Sequence, residues 1–261
     1  MRITYIGHAT LLIELADRIF LTDPNFDLTL GKFLPRVSAP GLAINSLPRV
    51  DAIIVTHAHA DHLSFKSLDA LPQDIPILAP PAVSKWLQRR GYRMAYEIAP
   101  GESIQSGGVE IRAGAATHEG SRYAVDRWHS AANMYLFNTN NLSCFFAGDT
   151  GLTPESTDLV EHHVTAVGRR LDMALLPIGH APWWKPGFRK GHLTSADALT
   201  LFDRLDARYL IPYHWGTFDH VTSKAHDAIH RLRAQLPRHP RSEMVQILEP
   251  GMSFELPSLE Q

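Results

Sequence analysis

The chain has 261 residues, enough to bury a sizeable core in one large domain or two small ones. Hydrophobic residues make up 44% and charged residues 20%, and the formal net charge is −2. That balance describes an ordinary soluble globular protein and gives no support to a general nucleic-acid binder or a polybasic membrane protein.

The N-terminus, MRITYIGHATLLIEL, alternates like strands and lacks the basic region, long apolar core and cleavage site of a secretory signal. No run of about 18 apolar residues occurs, so no transmembrane segment is expected and a cytoplasmic location is the default. Arg2 to Ile6, Thr10 to Leu15 and Arg18 to Thr22 read as strands, the last two joined by a tight turn. Asp23 to Pro48 is a loop punctuated by Pro and Gly. Asp51 to Val55 is a buried strand, His62 to Leu71 helical, Ile75 to Ala79 a strand, and Ala82 to Arg90 a helix ending at Gly91. Strands follow at Ser103 to Gln105, Val109 to Ala116, Asn133 to Phe137 and Leu142 to Ala147, with a hairpin turn over Asn138 to Asn141. Leu159 to Val167 reads as a helix and Met173 to Ile178 as a strand. Thr194 to Asp197 has the look of a capping box opening a helix to Leu205. Arg208 to Tyr213 is a strand, Ser223 to Leu236 an amphipathic helix, and Val245 to Leu256 two short strands around Pro250-Gly251. Layered α/β architecture follows, and with no internal repeat or low-complexity linker a single domain over 1–261 is expected.

The stretch THAHADH, Thr56 to His62, sets three histidines and an aspartate directly behind the apolar run Ile53-Ile54-Val55. A packed core has no use for so many imidazoles, because each ring must find partners or water. A metal ion does, since neutral imidazole and carboxylate are the ligands a zinc-like ion takes. The 15 histidines agree, and Cys144, the sole cysteine, rules out both an internal disulfide and a thiolate cage.

Three further signals share one format, an apolar strand followed by a metal-competent residue. Val109 to Ala113 leads through Gly114 to Thr117 to His118; Cys144 to Gly148 leads to Asp149; Leu210 to Tyr213 leads to His214. Strand ends are stiff, so ligands there need little reorganisation. Singly, each is also what a core histidine or a turn aspartate looks like.

Together, His57-x-His59-x-Asp61-His62, His118, Gly148-Asp149-Thr150 and His214 resemble the ligand series of the metallo-β-lactamase superfamily. The resemblance implies an αββα sandwich with a binuclear site on its edge. One Zn2+ would be held by His57, His59 and His118, a second by Asp61, His62 and His214, with Asp149 bridging; other divalent transition metals are open. Gly7-His8-Ala9-Thr10, Thr22-Asp23-Pro24, Leu176 to Gly179 and His214 to Phe218 look like a narrower branch. It contains the N-acyl-phosphatidylethanolamine phospholipase D enzymes and the ascorbate-6-phosphate lactonase group, the former being nearer. No N-terminal apolar segment suited to lipid tails is identifiable.

The resemblance implies hydrolysis by a metal-bridging hydroxide, with a phosphodiester as the expected substrate and a lactone as the alternative. Asp61 would orient that hydroxide and handle its proton, and His192 would touch the substrate. Asp23 is either a hydrogen-bond acceptor for a ligating histidine or a turn former before Pro24, and His8 either lies near the site or simply ends a strand. A flavodiiron-type redox protein is disfavoured because its motif carries glutamate at the position of His59, and a nuclease because no extended basic arm is present. His226 and His230, and His162 and His163, read as surface histidines. Ala181 to Gly191 combines aromatics with Lys185, Arg189 and Lys190, and reads as a lid favouring a small anionic substrate. Oligomeric state is not readable.

Overall fold

Arg2–Gly7 (β1), Thr10–Leu15 (β2) and Arg18–Thr22 (β3), all three read as strands from the sequence, form an antiparallel meander. The computed structural model describes residues 1–31, 34–120, 122, 131–179, 189–219 and 223–257. A small ribbon, Thr29–Leu30 (β4) with Leu34–Pro35 (β5), lies within the predicted loop. The chain then adds Ala52–Ile54 (β6), Phe65–Ala70 (α1), Ile77–Ala79 (β7), Pro81–Arg89 (α2) and Ala95–Glu97 (β8). Ser103–Ser106 (β9), Val109–Ala115 (β10), Asn133–Asn138 (β11) and Ser143–Phe146 (β12) follow as an antiparallel series. Glu155–His163 (α3), Met173–Pro177 (β13), Ser195–Arg204 (α4), Tyr209–Tyr213 (β14), Asp227–Gln235 (α5) and Ser253–Glu255 (β15) complete the order.

Among the described residues, one sheet runs β15-β1-β2-β3-β6-β7-β8 and the other β14-β13-β12-β11-β10-β9. Residue alternation divides the core between layers. Leu11, Ile13, Phe20, Ala52, Ile54 and Leu78 join the cluster shared with the second sheet. Their neighbours Leu12, Leu21, Ile53, Val55 and Ile77 pack instead with Leu68, Val83 and Leu87 of α1 and α2. The expected αββα sandwich is therefore the observed fold.

Local chemistry sets the helix starts. The Ser64 hydroxyl caps α1 by accepting from Ser67 N–H, and Pro81 occupies the first turn of α2, where a missing N–H is harmless. The Thr194/Asp197 capping box that opens α4 is present in full.

Several boundaries differ from expectation. α3 begins at Glu155 and gives way after His163 to a 3-10 turn at Thr165–Val167, closed by Gly168 at φ 76°. α5 begins at Asp227 because the carboxylates of Asp219 and Asp227 hold the N–H groups of Ala225 and Lys224 in a turn, both at 2.9 Å. Among the described residues the C-terminal stretch holds one strand, β15, and Val245 makes an isolated bridge with Leu210. β8 escaped the sequence because Tyr96 and Glu97 are exposed and its three residues carry no alternation.

Candidate metal centre

Strand direction collects the candidate residues. β1 and β3 are each antiparallel to β2, and β6 is parallel to β3, so β1, β3 and β6 share one direction. By the same reasoning β10, β12, β13 and β14 share one direction in the second sheet. The C-terminal ends of these strands carry His8, Asp23, the Thr56–His62 loop, His118, Asp149, Gly179 and His214. His8, Asp23 and His214, each the first residue after its strand, have φ of 56°, 35° and 67°. Non-glycine residues rarely adopt that left-handed conformation, and such strain concentrates at functional sites.

All seven residues expected as metal ligands are brought together. His57 Nε2 and His118 Nε2 lie 2.9 Å and 3.1 Å from His59 Nδ1. On the other side His62 Nε2 lies 3.1 Å from His214 Nε2, with Asp61 Oδ2 3.7 Å and 3.5 Å from the same two atoms. Asp149 stands between, Oδ2 3.4 Å from His62 and Oδ1 3.4 Å from His214, and its donor atom also groups with those of His57 and of His118.

The outer hydrogen bonds decide which ring nitrogens face inward. Asp23 Oδ2 accepts from His62 Nδ1 at 2.7 Å and from the Thr56 hydroxyl at 2.6 Å, while Oδ1 accepts from Thr56 N–H. With its proton committed to Asp23, Thr56 Oγ1 accepts from His57 Nδ1 at 2.9 Å. The Gly191 carbonyl accepts from His118 Nδ1 at 2.8 Å. His57, His62 and His118 therefore each spend Nδ1–H outward and turn an Nε2 lone pair toward the centre, the arrangement that orients metal-ligating imidazoles. One N–H on His59 cannot satisfy the lone pairs of both His57 and His118 in good geometry, whereas a cation satisfies all three.

Electrostatics point the same way. Burial holds His57 well below the usual histidine range and His118 down at about 3, so both are neutral and free to coordinate. Burial would raise the carboxyls of Asp61 and Asp149, but the surrounding imidazoles outweigh it and keep both well below the ordinary range. For His62, burial is outweighed by Asp149, Asp61 and Asp23, so this position favours a positive charge. Asp149 Oδ1 is buried with no hydrogen-bond partner, an orphaned acceptor of the kind a cation satisfies.

Two glycines make room. A side chain at Gly148, whose φ is 57°, would come within 2.8 Å of Thr56 Cγ2, and one at Gly179 within 2.6 Å of His214 Nδ1.

Asp23 is thus the buried acceptor for a histidine rather than a mere turn former. Thr56 and the Gly191 carbonyl were not found in the sequence, since nothing local marks a threonine hydroxyl or a main-chain oxygen as an orienting group. His192 lies at the site with Nε2 3.6 Å from Asp149 Oδ2 and its ring edge-on to His118 at 4.8 Å. It therefore faces the cluster as well as the cavity beside it. His226 is half-buried against Trp215 rather than on a solvated face, whereas His162 is exposed. Of the expected lid, Ala181 to Phe188, including Trp183, Trp184 and Lys185, lie outside the described residues. Arg189 pairs with Asp197 at 3.7 Å.

Residues 18–215 match the family model described as a β-lactamase superfamily domain. The chain belongs to the β-lactamase superfamily of metal-dependent hydrolases. N-acyl-phosphatidylethanolamine-hydrolyzing phospholipase D 1 of Caenorhabditis elegans is 29% identical over 85% of this chain and 65% of its own length. The chain thus spans about 65% of the length of the first curated relatives it matches. A metal-dependent hydrolase of Heliobacterium modesticaldum is 30% identical over 84% of both chains. An isothiocyanate hydrolase from Delia radicum gut bacteria superposes with a TM-score of 0.79 at 18% identity, covering 98% of this chain and 99% of that one.

In this superfamily domain a cavity of about 290 Å3 opens over the metal-competent cluster. His192, Trp215, Phe218, Leu30, Leu34 and Arg231 are among its walls. Among the described residues, no helix is long and apolar enough to cross a membrane.

Proposed function

We propose that the chain is a binuclear metal-dependent hydrolase, zinc by preference, acting on a small anionic phosphodiester in the manner of a phospholipase D. His57, His59 and His118 would hold one ion, Asp61, His62 and His214 the second, and Asp149 would lie between both. The carrying observation is the gathering of inward-turned imidazole nitrogens around a buried carboxylate whose Oδ1 has no hydrogen-bond partner. The donor set is nitrogen and carboxylate oxygen without thiolate, which suits a divalent ion of the zinc type. Bound there, two divalent ions would supply Lewis acidity toward the reacting oxygen and acidify water.

The side chains divide the remaining work. Asp61 lines the cavity, 23% exposed, and its carboxylate would orient the attacking water and handle its proton. His192, on the cavity wall, would meet the substrate at its phosphate or leaving group. Arg231 also lines the cavity and its side chain makes no hydrogen bond or ion pair with the described residues, which leaves its guanidinium for an anionic substrate. The phosphodiester is preferred over a lactone because relatives from C. elegans and Saccharomyces cerevisiae are named as N-acyl-phosphatidylethanolamine-hydrolyzing phospholipases D. The apolar wall residues Leu30, Leu34, Trp215 and Phe218 suit a short apolar portion of such a substrate.

The test is a hydrolysis panel of phosphodiesters against lactones on zinc-loaded protein, with metal content measured in parallel. About two ions per chain and turnover of phosphodiesters are expected. Lactone turnover alone would reassign the substrate, and no metal uptake after dialysis against zinc would overturn the proposal.

A further inference from the structure

His8 touches all three candidate donors in the second half of the cluster, Asp61, His62 and His214, yet the hydrolysis proposed above gives it no task. Its Nε2 lies 3.0 Å from Asp61 Oδ2, and because the carboxylate can only accept, this nitrogen carries the proton. Its ring sits over that of His214, centroids 3.9 Å apart and tilted by 39°. Its main-chain carbonyl accepts His214 N–H at 2.9 Å. One residue thus restrains Asp61 through its side chain and His214 through both ring and backbone.

The ring is in turn clamped from outside. Phe218 meets it edge-on at 5.4 Å, and the Arg36 guanidinium lies 5.0 Å from the Phe218 centroid. Arg36 is itself tied down by donating to the main-chain oxygens of Asn25 and Asp27. Asn25 donates from its side chain to the carbonyls of Ala60 and Asp61, so the clamp returns to the same loop.

Packing alone does not account for an imidazole here. His8 has φ 56°, a conformation that glycine or asparagine adopts more readily, and its Nδ1 is buried without a hydrogen-bond partner. Both features are destabilising, and both are tolerated at a residue whose other nitrogen and ring face candidate metal donors.

We propose that His8 is the positioning residue of the second metal half-site: its Nε2–H fixes the Asp61 carboxylate and its ring and carbonyl fix His214, so that both present their donor atoms without reorganising. The inference rests on the ligand assignment proposed above. Outer-shell partners of this kind typically carry a 10–100-fold share of metal affinity, and here the effect falls on one ion of the two. Among the candidate ligands, the ring and hydrogen-bond contacts of His8 fall on Asp61, His62 and His214, the three donors assigned to the second ion.

The experiment is a cobalt(II) titration of the metal-free protein followed by visible absorbance, with His8→Ala and His8→Gln beside the wild type. Wild type should take up two ions. His8→Ala should bind the first as wild type does and the second at least about tenfold more weakly. His8→Gln, which keeps an N–H donor at similar reach, should recover most of the loss. Metal-free His8→Ala keeps the left-handed backbone and loses a buried, hydrogen-bonded ring, so it should melt below wild type; an unchanged affinity for the first ion then separates a positioning role from general disruption, which would weaken both ions. If His8→Ala does not fold, His8→Asn replaces it, because asparagine tolerates the left-handed backbone and is too short to reach Asp61. Two wild-type-like binding steps in His8→Ala, or a Gln variant as defective as Ala, would overturn the proposal. Wild-type protein that binds no cobalt at all would instead sink the ligand assignment beneath it.

Discussion

Asp23 and His62 form a hydrogen-bonded pair sealed from solvent, Oδ2 to Nδ1 at 2.7 Å with both side chains 0% exposed. The same oxygen accepts the Thr56 hydroxyl, which in turn receives the proton of His57 Nδ1. One carboxylate thereby orients a histidine from each proposed metal half-site. Asp23→Asn keeps the shape but weakens one acceptor and offers an N–H where His62 and Thr56 already donate. Zinc affinity should fall about 10–100-fold for both ions, as for other lost orienting carboxylates. Competition with a chromophoric chelator measures it, and two unchanged affinities would mean the relay does not orient the rings.

Gly179 tests packing in place of hydrogen bonding. A Cβ there would sit 2.6 Å from His214 Nδ1, and His214 cannot easily retreat, because its backbone is left-handed and its N–H is held by His8. Gly179→Ala should therefore displace the His214 ring and weaken the second ion selectively, while overpacking lowers stability by about 1–3 kcal/mol. A calorimetric zinc titration distinguishes the steps. Equal weakening of both ions would indicate general disruption of the site.

Much of this centre is legible in the sequence because it is built at strand ends, where an apolar run stops at a residue that an apolar core would reject. His118, Asp149 and His214 all announce themselves that way, and THAHADH does so by density alone. The orienting groups are not legible: Thr56, the Gly191 carbonyl and the space left by Gly179 act through contacts between residues far apart in the chain. The fold follows the same division. Strands β2 and β3 match their expected bounds end to end, because their short apolar runs are cut by the turn residues between them, whereas α5 starts late because Asp219 and Asp227 capture N–H groups in a turn. The short, exposed β8 exists only because β7 offers it an edge to pair with.

His192 faces both the cavity and Asp149, and its two proposed relations to the cluster predict different results. As a group that meets the substrate, it can be removed without loss of metal. His192→Ala should keep about two zinc ions per chain while turnover falls by roughly 10²-fold or more, the size expected for lost acid–base or oxyanion help. Loss of one ion in elemental analysis would instead make His192 a ligand, since its Nε2 groups with donors of His118 and Asp149. Unchanged turnover would remove it from the reaction.

Arg231 decides whether the cavity selects for charge. Arg189 already faces Asp197, and Lys224 is paired with Asp219 at 3.0 Å, whereas Arg231 lines the cavity without an ionic partner among the described residues. An exposed guanidinium is screened by water and salt, so its effect on an anionic substrate is modest, on the order of 1 kcal/mol or less. Arg231→Ala should accordingly raise KM for anionic phosphodiesters about threefold to fivefold at low salt with little change in kcat, and Arg231→Lys should recover part of it. The difference should shrink as ionic strength rises, because the Debye length falls to about 3 Å at 1 M. A neutral lactone provides the control: its KM should not respond to the substitution. Equal effects on charged and neutral substrates would show that the arginine shapes the wall through its aliphatic stem rather than through its charge.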